Sequence, residues 1–549
     1  MIRVELAIPG TFVEETPLGT WAVSAANGSR VRQELSKASF LALEEGLQVD
    51  RLGALCDDGT LAYVPVAGTR FWLYRTINAT RELYFRQDGC GNWVVTDHFR
   101  NMLAGIPRRE RELGENAMLD HFLVLFPLGE STLERNVRRV TPGETRFVDA
   151  VSGEEVSRQA ERLVGDPAGR RSVEEATEAL EEVLRAALAE QGPDDCTMFS
   201  GGVDSTLVHL FRPKGSAALT VTVDTPEFAF EVEYAREAAR LLGAKWFHVP
   251  FREEEYLELF VETIETLGQP VHPSLQPVFM NRAFREPFRV FWMGDGADTL
   301  FGHPQLRRIL QGEVGPSLQK LLEKPPDSLE GYGALSNTGP DLAVVRGLFG
   351  EGPVMRRIEA RMAYILERGA VRPGSRLEEH VAMDSLVETF CSTLPAITCK
   401  RENAAVFGGE TREPFFSRAA LRLAGSIPTG QRFFHGGESK PVPKALLRKL
   451  MPEYPFYGKK GGSDIPRTRF CQSGPFRDFF RGSDFPDLLP PGGREMLMDP
   501  QWDWSYLYLK AAAFSTWQDL VLRSDALERV PGTRILGFGE GAVFEEDGR

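Results

Sequence analysis

The chain has 549 residues, enough for more than one domain with its own core, and its 42% hydrophobic and 26% charged content is that of a globular protein. A net charge of −14 argues against a general nucleic-acid binder, because phosphate backbones need a basic surface. No apolar run approaches the roughly 20 residues of a membrane span, no basic-then-apolar export signal opens the sequence, and the six cysteines (Cys56, Cys90, Cys196, Cys391, Cys399, Cys471) lack metal-type spacing, which reads as reduced thiols in a cytoplasm.

Residues 1 to about 150 read as β-rich: strand-like runs recur at 61–66, 70–74, 83–86, 93–96 and 145–149, with Gly or Asp-Gly between several of them. A linker at 165–169 leads to a helix over 172–190. Ser172 and Glu175 form its capping box, and Val173, Ala176, Leu180, Val183, Leu184 and Ala187 give it one apolar face. A strand at 196–199, a strand at 218–223, a helix at 231–242 closed by Gly243 and a strand at 246–249 follow. That rhythm predicts a doubly wound parallel sheet, in which ligands bind at the carboxyl ends of the strands. Ser200 and Val223 stand at two such ends. The rest is mostly helical, with 355–367, 377–390 and an aromatic packing helix within 502–521.

Between the first of these strands and its helix lies Phe199-Ser200-Gly201-Gly202-Val203-Asp204-Ser205-Thr206. Two glycines allow close backbone approach to a ligand, and the amides of a helix N-terminus face negative charge. Ser200 and Ser205 add hydroxyl donors. Asp204 would repel a phosphate and sensibly holds Mg²⁺ instead. No Gly-Lys-Ser/Thr follows, so this is not a Walker loop. A second strand-to-turn element, Gly294-Asp295-Gly296-Ala297-Asp298, ends at Phe301-Gly302. Alone, Asp298 there could simply cap a helix; paired with the first loop it suggests a site.

The octet around Ser200 resembles the phosphate loop of the ATP pyrophosphatase superfamily, and the 294–302 element resembles that of asparagine synthetase-type amide ligases. The passages from Thr132 to Gly143 and from Arg401 to Phe415 resemble that family too. The resemblance implies a glutaminase-like αββα domain over 1–160 and an ATP pyrophosphatase domain with added helices over 170–549. It implies ATP and Mg²⁺, with nucleotide contacts from Ser200, Gly201, Gly202, Asp204, Ser205, Val223 and Gly294. Asp204 and Asp298 match the metal ligands, and Asp295 lies close to the reacting groups. Lys459, with Lys460 as neighbour, matches a catalytic loop lysine. Glu410, beside Arg412, is either catalytic or a fold-supporting pair.

In asparagine synthetases the first domain releases ammonia from glutamine through an N-terminal cysteine; here Ile2 stands at residue 2 and the first cysteine is Cys56. The expected reaction is therefore adenylation of a carboxylate and capture by another amine, in a cytoplasmic enzyme without nucleic-acid or membrane partners. The lasso-peptide macrolactam synthetases, acting on a precursor peptide with a leader peptidase and a peptide-recognition protein, are the branch favoured by residues 272–277, 302–304 and the aromatic C-terminal helix. β-Lactam synthetase-like closure of a small molecule and glutamine-hydrolysing asparagine synthesis are the alternatives.

Overall fold

The computed structural model describes residues 1–124, 126–163, 170–271, 276–302, 320, 323–335, 339–371, 374–457, 465–474, 476–477, 479, 505–538 and 545–546. The expected linker at 165–169 lies outside them. No helix among the described residues is long and apolar enough to cross a membrane.

The N-terminal part forms two facing six-stranded sheets. One runs Glu155–Gln159, Glu144–Asp149, Arg70–Arg75, Thr60–Pro65, Gly19–Ser24, Phe12–Thr16, antiparallel throughout. Its central strands are apolar on both faces, and because successive side chains point to opposite sides they feed two cores. Ala62 and Val64 join Ile2, Val4, Phe71, Leu73 and Phe85 in the core between the sheets. Leu61 and Tyr63 point outward, under the helices Gly28–Leu35, Ala38–Leu41 and Glu45–Leu55, where the Tyr63 ring stacks on Trp21 at 4.0 Å. The other sheet has Ile2–Leu6 near its middle, parallel to Trp93–Thr96. Its outer face carries Tyr84 and Val94 against helices Phe99–Ala104 and Glu115–Val124. The layering is helix, sheet, sheet, helix.

The chain returns to this part at its end. Arg534–Phe538 pairs antiparallel with Ile2–Leu6, so the expected 170–549 unit lends strands to the sheet that contains Ile2–Leu6.

The second part is built on a five-stranded parallel sheet ordered Lys245–Phe251, Ala217–Val223, Asp195–Met198, Val290–Trp292, Glu410–Arg412. Helices cover both faces, as a buried parallel sheet requires. Val173–Ala187, with the expected capping box at Ser172 and Glu175, packs on one side with Val203–Leu210 and Pro441–Leu450. Glu253–Leu267, Leu394–Val406 and Ser505–Trp517 pack on the other. The predicted 377–390 helix is Arg376–Glu388, which continues through a wider turn, Thr389–Thr393, into Leu394–Val406.

The two parts meet through buried polar groups. Arg401, 1% exposed, pairs with Asp58 of the first part and with Glu413. Arg81 reaches Glu410 at 3.3 Å, Tyr84 Oη donates to Glu402 at 2.8 Å, and Asn78 donates to the Phe416 carbonyl.

Candidate active site

In chain order the first three strands of the parallel sheet run outward one way and the last two the other, so the order reverses at Asp195–Met198. A crevice at the carboxyl end of such a switch strand is where these sheets take ligands, and residues 199–206 emerge there. The loop is held open by its own serines. Gly202 N–H donates to Ser200 Oγ at 3.3 Å, Ser200 N–H donates to Ser205 Oγ, and the two hydroxyls lie 3.2 Å apart. Gly202 is the N-cap of Val203–Leu210, so the loop and the positive end of that helix face the same space. Tyr454 clamps the turn from outside, its hydroxyl donating to the Gly201 carbonyl at 2.5 Å.

The second turn closes against the first at Gly294. A Cβ there would stand 2.9 Å from the Asp204 Cβ and 3.1 Å from Ser205 N. Only a glycine lets the two backbones approach so closely. Asp298, in the first turn of the short helix Ala297–Phe301, thereby comes opposite Asp204. Between them sits Lys440. Its Nζ is 2.5 Å from Asp204 Oδ2 and 2.6 Å from Asp298 Oδ1. Burial alone would lower the lysine's pKa, but the two carboxylates outweigh it and hold the ammonium charged. Gly302, at φ +137°, is the seat of this residue: a Cβ on it would meet Lys440 N at 2.8 Å.

Asp295 points elsewhere. Its Oδ1 receives Lys400 Nζ at 2.6 Å, and Lys400 is only 2% exposed. Glu413 shares this side: its carboxyl is raised by burial and by the charges of Asp58 and Asp295, although Arg401 opposes the shift.

The expected residues therefore separate. Ser200, Gly201, Gly202, Asp204, Ser205, Gly294 and Asp298 come together, and Asp295 lies on the same turn. Val223 ends the adjacent strand at the same edge of the sheet, buried. Glu410 is not brought to the loop. It begins its strand, opposite Val290, and is held between Arg81 and Arg412, each at 3.3 Å. Burial would raise its carboxyl, but these arginines hold it below the ordinary range. Its surroundings are those of a clamp between the two parts of the molecule. Lys459 and Lys460 lie outside the described residues, as do 272–275 and 303–304. Sequence reasoning missed Lys440 and Lys400. The signal available for Lys440 was its place just before Pro441 at a helix start; Lys400 carried none.

Asp204 and Asp298 suit Mg²⁺, which takes one or two carboxylates and completes its shell with water and phosphate oxygens. Two acids converging on one ammonium show that the donors face a common point. No group of three or more His, Cys, Asp or Glu side chains gathers among the described residues, so a closed zinc-type site is not formed there.

A sequence model of the asparagine synthase family matches residues 175–483, more than half of the chain and the whole of the parallel sheet. A comparison with curated proteins gave no match. The chain belongs to the asparagine synthase family, whose members are ATP-dependent amide-forming ligases.

Proposed function

We propose that this protein activates a carboxylate by adenylation and joins it to an amine carried by the substrate, forming a peptide macrolactam of the lasso type. The observation that supports the adenylation reading most is the convergence of Asp204 and Asp298, from two separate strand-to-helix turns, beside the serine-glycine loop.

In this reading the amides of Gly201 and Gly202 and the hydroxyls of Ser200 and Ser205 hold the β- and γ-phosphates of ATP. Asp204 and Asp298 would hold Mg²⁺, which when bound neutralises charge on the phosphates. Val223 borders the nucleotide at the next strand end. The substrate carboxylate attacks the α-phosphorus, the bond to the β-phosphate breaks, and pyrophosphate leaves. The amine nitrogen then attacks the acyl carbon, AMP departs with the bonding electron pair, and Asp295 takes the amine's proton. Lys400, in contact with Asp295 Oδ1, fixes the carboxylate's orientation. Lys459 is retained as a loop cation for the charge that develops during both steps.

In this reading glutamine is not the nitrogen source, and the state of one cysteine supports that. Burial pushes the Cys56 thiol up to about 12, so that thiol is a poor nucleophile. The test is incubation with ATP, Mg²⁺ and synthetic peptides that carry a free N-terminal amine and an internal Asp or Glu. The expected product is a peptide lighter by one water, with no glutamate formed when glutamine is supplied. Glutamate release coupled to amidation would support ammonia transfer and reject the macrolactam reading.

A further inference from the structure

The two acids assigned to the metal already hold a cation, and it is the chain's own. Lys440 contacts both carboxylates while its side chain is 10% exposed. Its backbone is held at φ +56°, in the left-handed region that residues with a Cβ adopt only when their surroundings impose it. Gly302 supplies those surroundings on one side, and Pro441, the first residue of the helix Pro441–Leu450, on the other. The lysine is built into this position.

We propose that Lys440 is a resident counter-ion that keeps free divalent metal out of the Asp204–Asp298 pair, so that the metal enters only with a nucleotide's phosphates, to which the ammonium then transfers. This rests on the adenylation reading and adds to it the order of binding.

Mg²⁺ needs oxygen ligands at about 2.0–2.1 Å in a near-octahedral arrangement. An ammonium in contact with the same two carboxylates fills that space. A metal arriving alone must evict it, leaving a buried positive charge without its partners beside a new divalent one. A triphosphate reverses the balance. Asp204 is in the first turn of the helix whose N-terminus faces the phosphate space, so phosphate oxygens arrive within reach of both ions. They replace the carboxylates as partners of Nζ and supply ligands that the metal still lacks. Two carboxylates and one ammonium leave a single negative charge, too little for a bare divalent ion, whereas a polyphosphate restores the match. Binding of metal and nucleotide is then strongly coupled through one side chain.

The test titrates the full chain with Mn²⁺ alone, following the paramagnetic resonance of free Mn²⁺, and repeats it with the α,β-methylene analogue of ATP after correction for Mn²⁺ held by the analogue in solution. The parent is expected to bind Mn²⁺ at least about tenfold more weakly without the analogue than with it. Lys440→Met should bind Mn²⁺ alone at least about tenfold more tightly than the parent, shrinking the analogue's benefit. Lys440→Arg, which keeps a cation there, should remain within about threefold of the parent. Lys440→Gln takes the place of the methionine variant if circular dichroism shows that the latter does not fold. Equal Mn²⁺ affinity in the parent and the neutral variant overturns the proposal while leaving the adenylation reading intact. If no variant or parent binds Mn²⁺ even with the analogue, Asp204 and Asp298 are not a metal pair, and both fail.

Discussion

A single methyl group would separate the two turns that make the site. A Cβ added at Gly294 would lie only 2.9 Å from the Asp204 Cβ, so Gly294→Ala must push the phosphate loop aside. Overpacking of this kind costs about 1–3 kcal/mol of stability. The variant should also bind an ATP analogue at least about tenfold more weakly, since the loop amides lose their common aim. Gly89→Ala, where nothing lies within 4 Å, is the control and should change neither melting nor nucleotide affinity, measured by calorimetry. At this scale the sequence was readable where chemistry is written consecutively. Ser200 to Ser205 and the Asp298 turn each carry their meaning in adjacent residues. Lys440 and Lys400 do not: they meet their carboxylates across 236 and 105 positions, and Lys400 stands inside an ordinary helix. Glu410 could not be decided between its two readings for the same reason, because Arg81, which pairs with it, is 329 positions away.

Helices and strands with a strong period were legible, and those defined by long-range pairing were not. The capped helix Val173–Ala187 follows from its apolar spacing, and Ser172→Ala should cost it about 1 kcal/mol, read as a lowered urea midpoint with unchanged slope. The strand Arg534–Phe538 has no such signature, and its identity comes from the edge of Ile2–Leu6 that it covers. One short helix carries a pH dependence. His98 caps Phe99–Ala104 by accepting from Arg100 N–H and donates from Nε2 to the Glu402 carbonyl at 3.0 Å. Burial lowers its pKa to about 3, and burial likewise lowers that of His209 to about 4. Both are depressed below the unfolded value, so their contribution is complete above about pH 6.5 and is lost as the pH falls. Each should cost about 2 kcal/mol of stability between pH 7 and pH 5. Urea unfolding of the parent and His98→Gln at both pH values checks this by difference, since buried acids such as Asp97, raised to about 6, act in the opposite direction in both proteins.

The whole molecule is joined by more than its covalent linker. The strand Arg534–Phe538 returns to the sheet of Ile2–Leu6, and Arg401 lies between Asp58 of one part and Glu413 of the other. Removing one member of a buried ionic group leaves the rest uncompensated, so Arg401→Met should lose about 3–5 kcal/mol. The sandwich and the parallel sheet should still melt in one calorimetric transition at a lower temperature; two separated transitions would show that Arg401 couples them. None of this docking could be read from the sequence, where the family resemblance implied two domains but not the charges that seat one part on the other. What the arrangement is for turns on the fate of ATP. Phosphorus NMR of the protein with ATP, Mg²⁺ and the peptide class proposed as its substrate tests this most directly. The account predicts AMP and pyrophosphate in equal amounts, formed only with the peptide present and lost in Asp298→Asn; ADP and inorganic phosphate would contradict it.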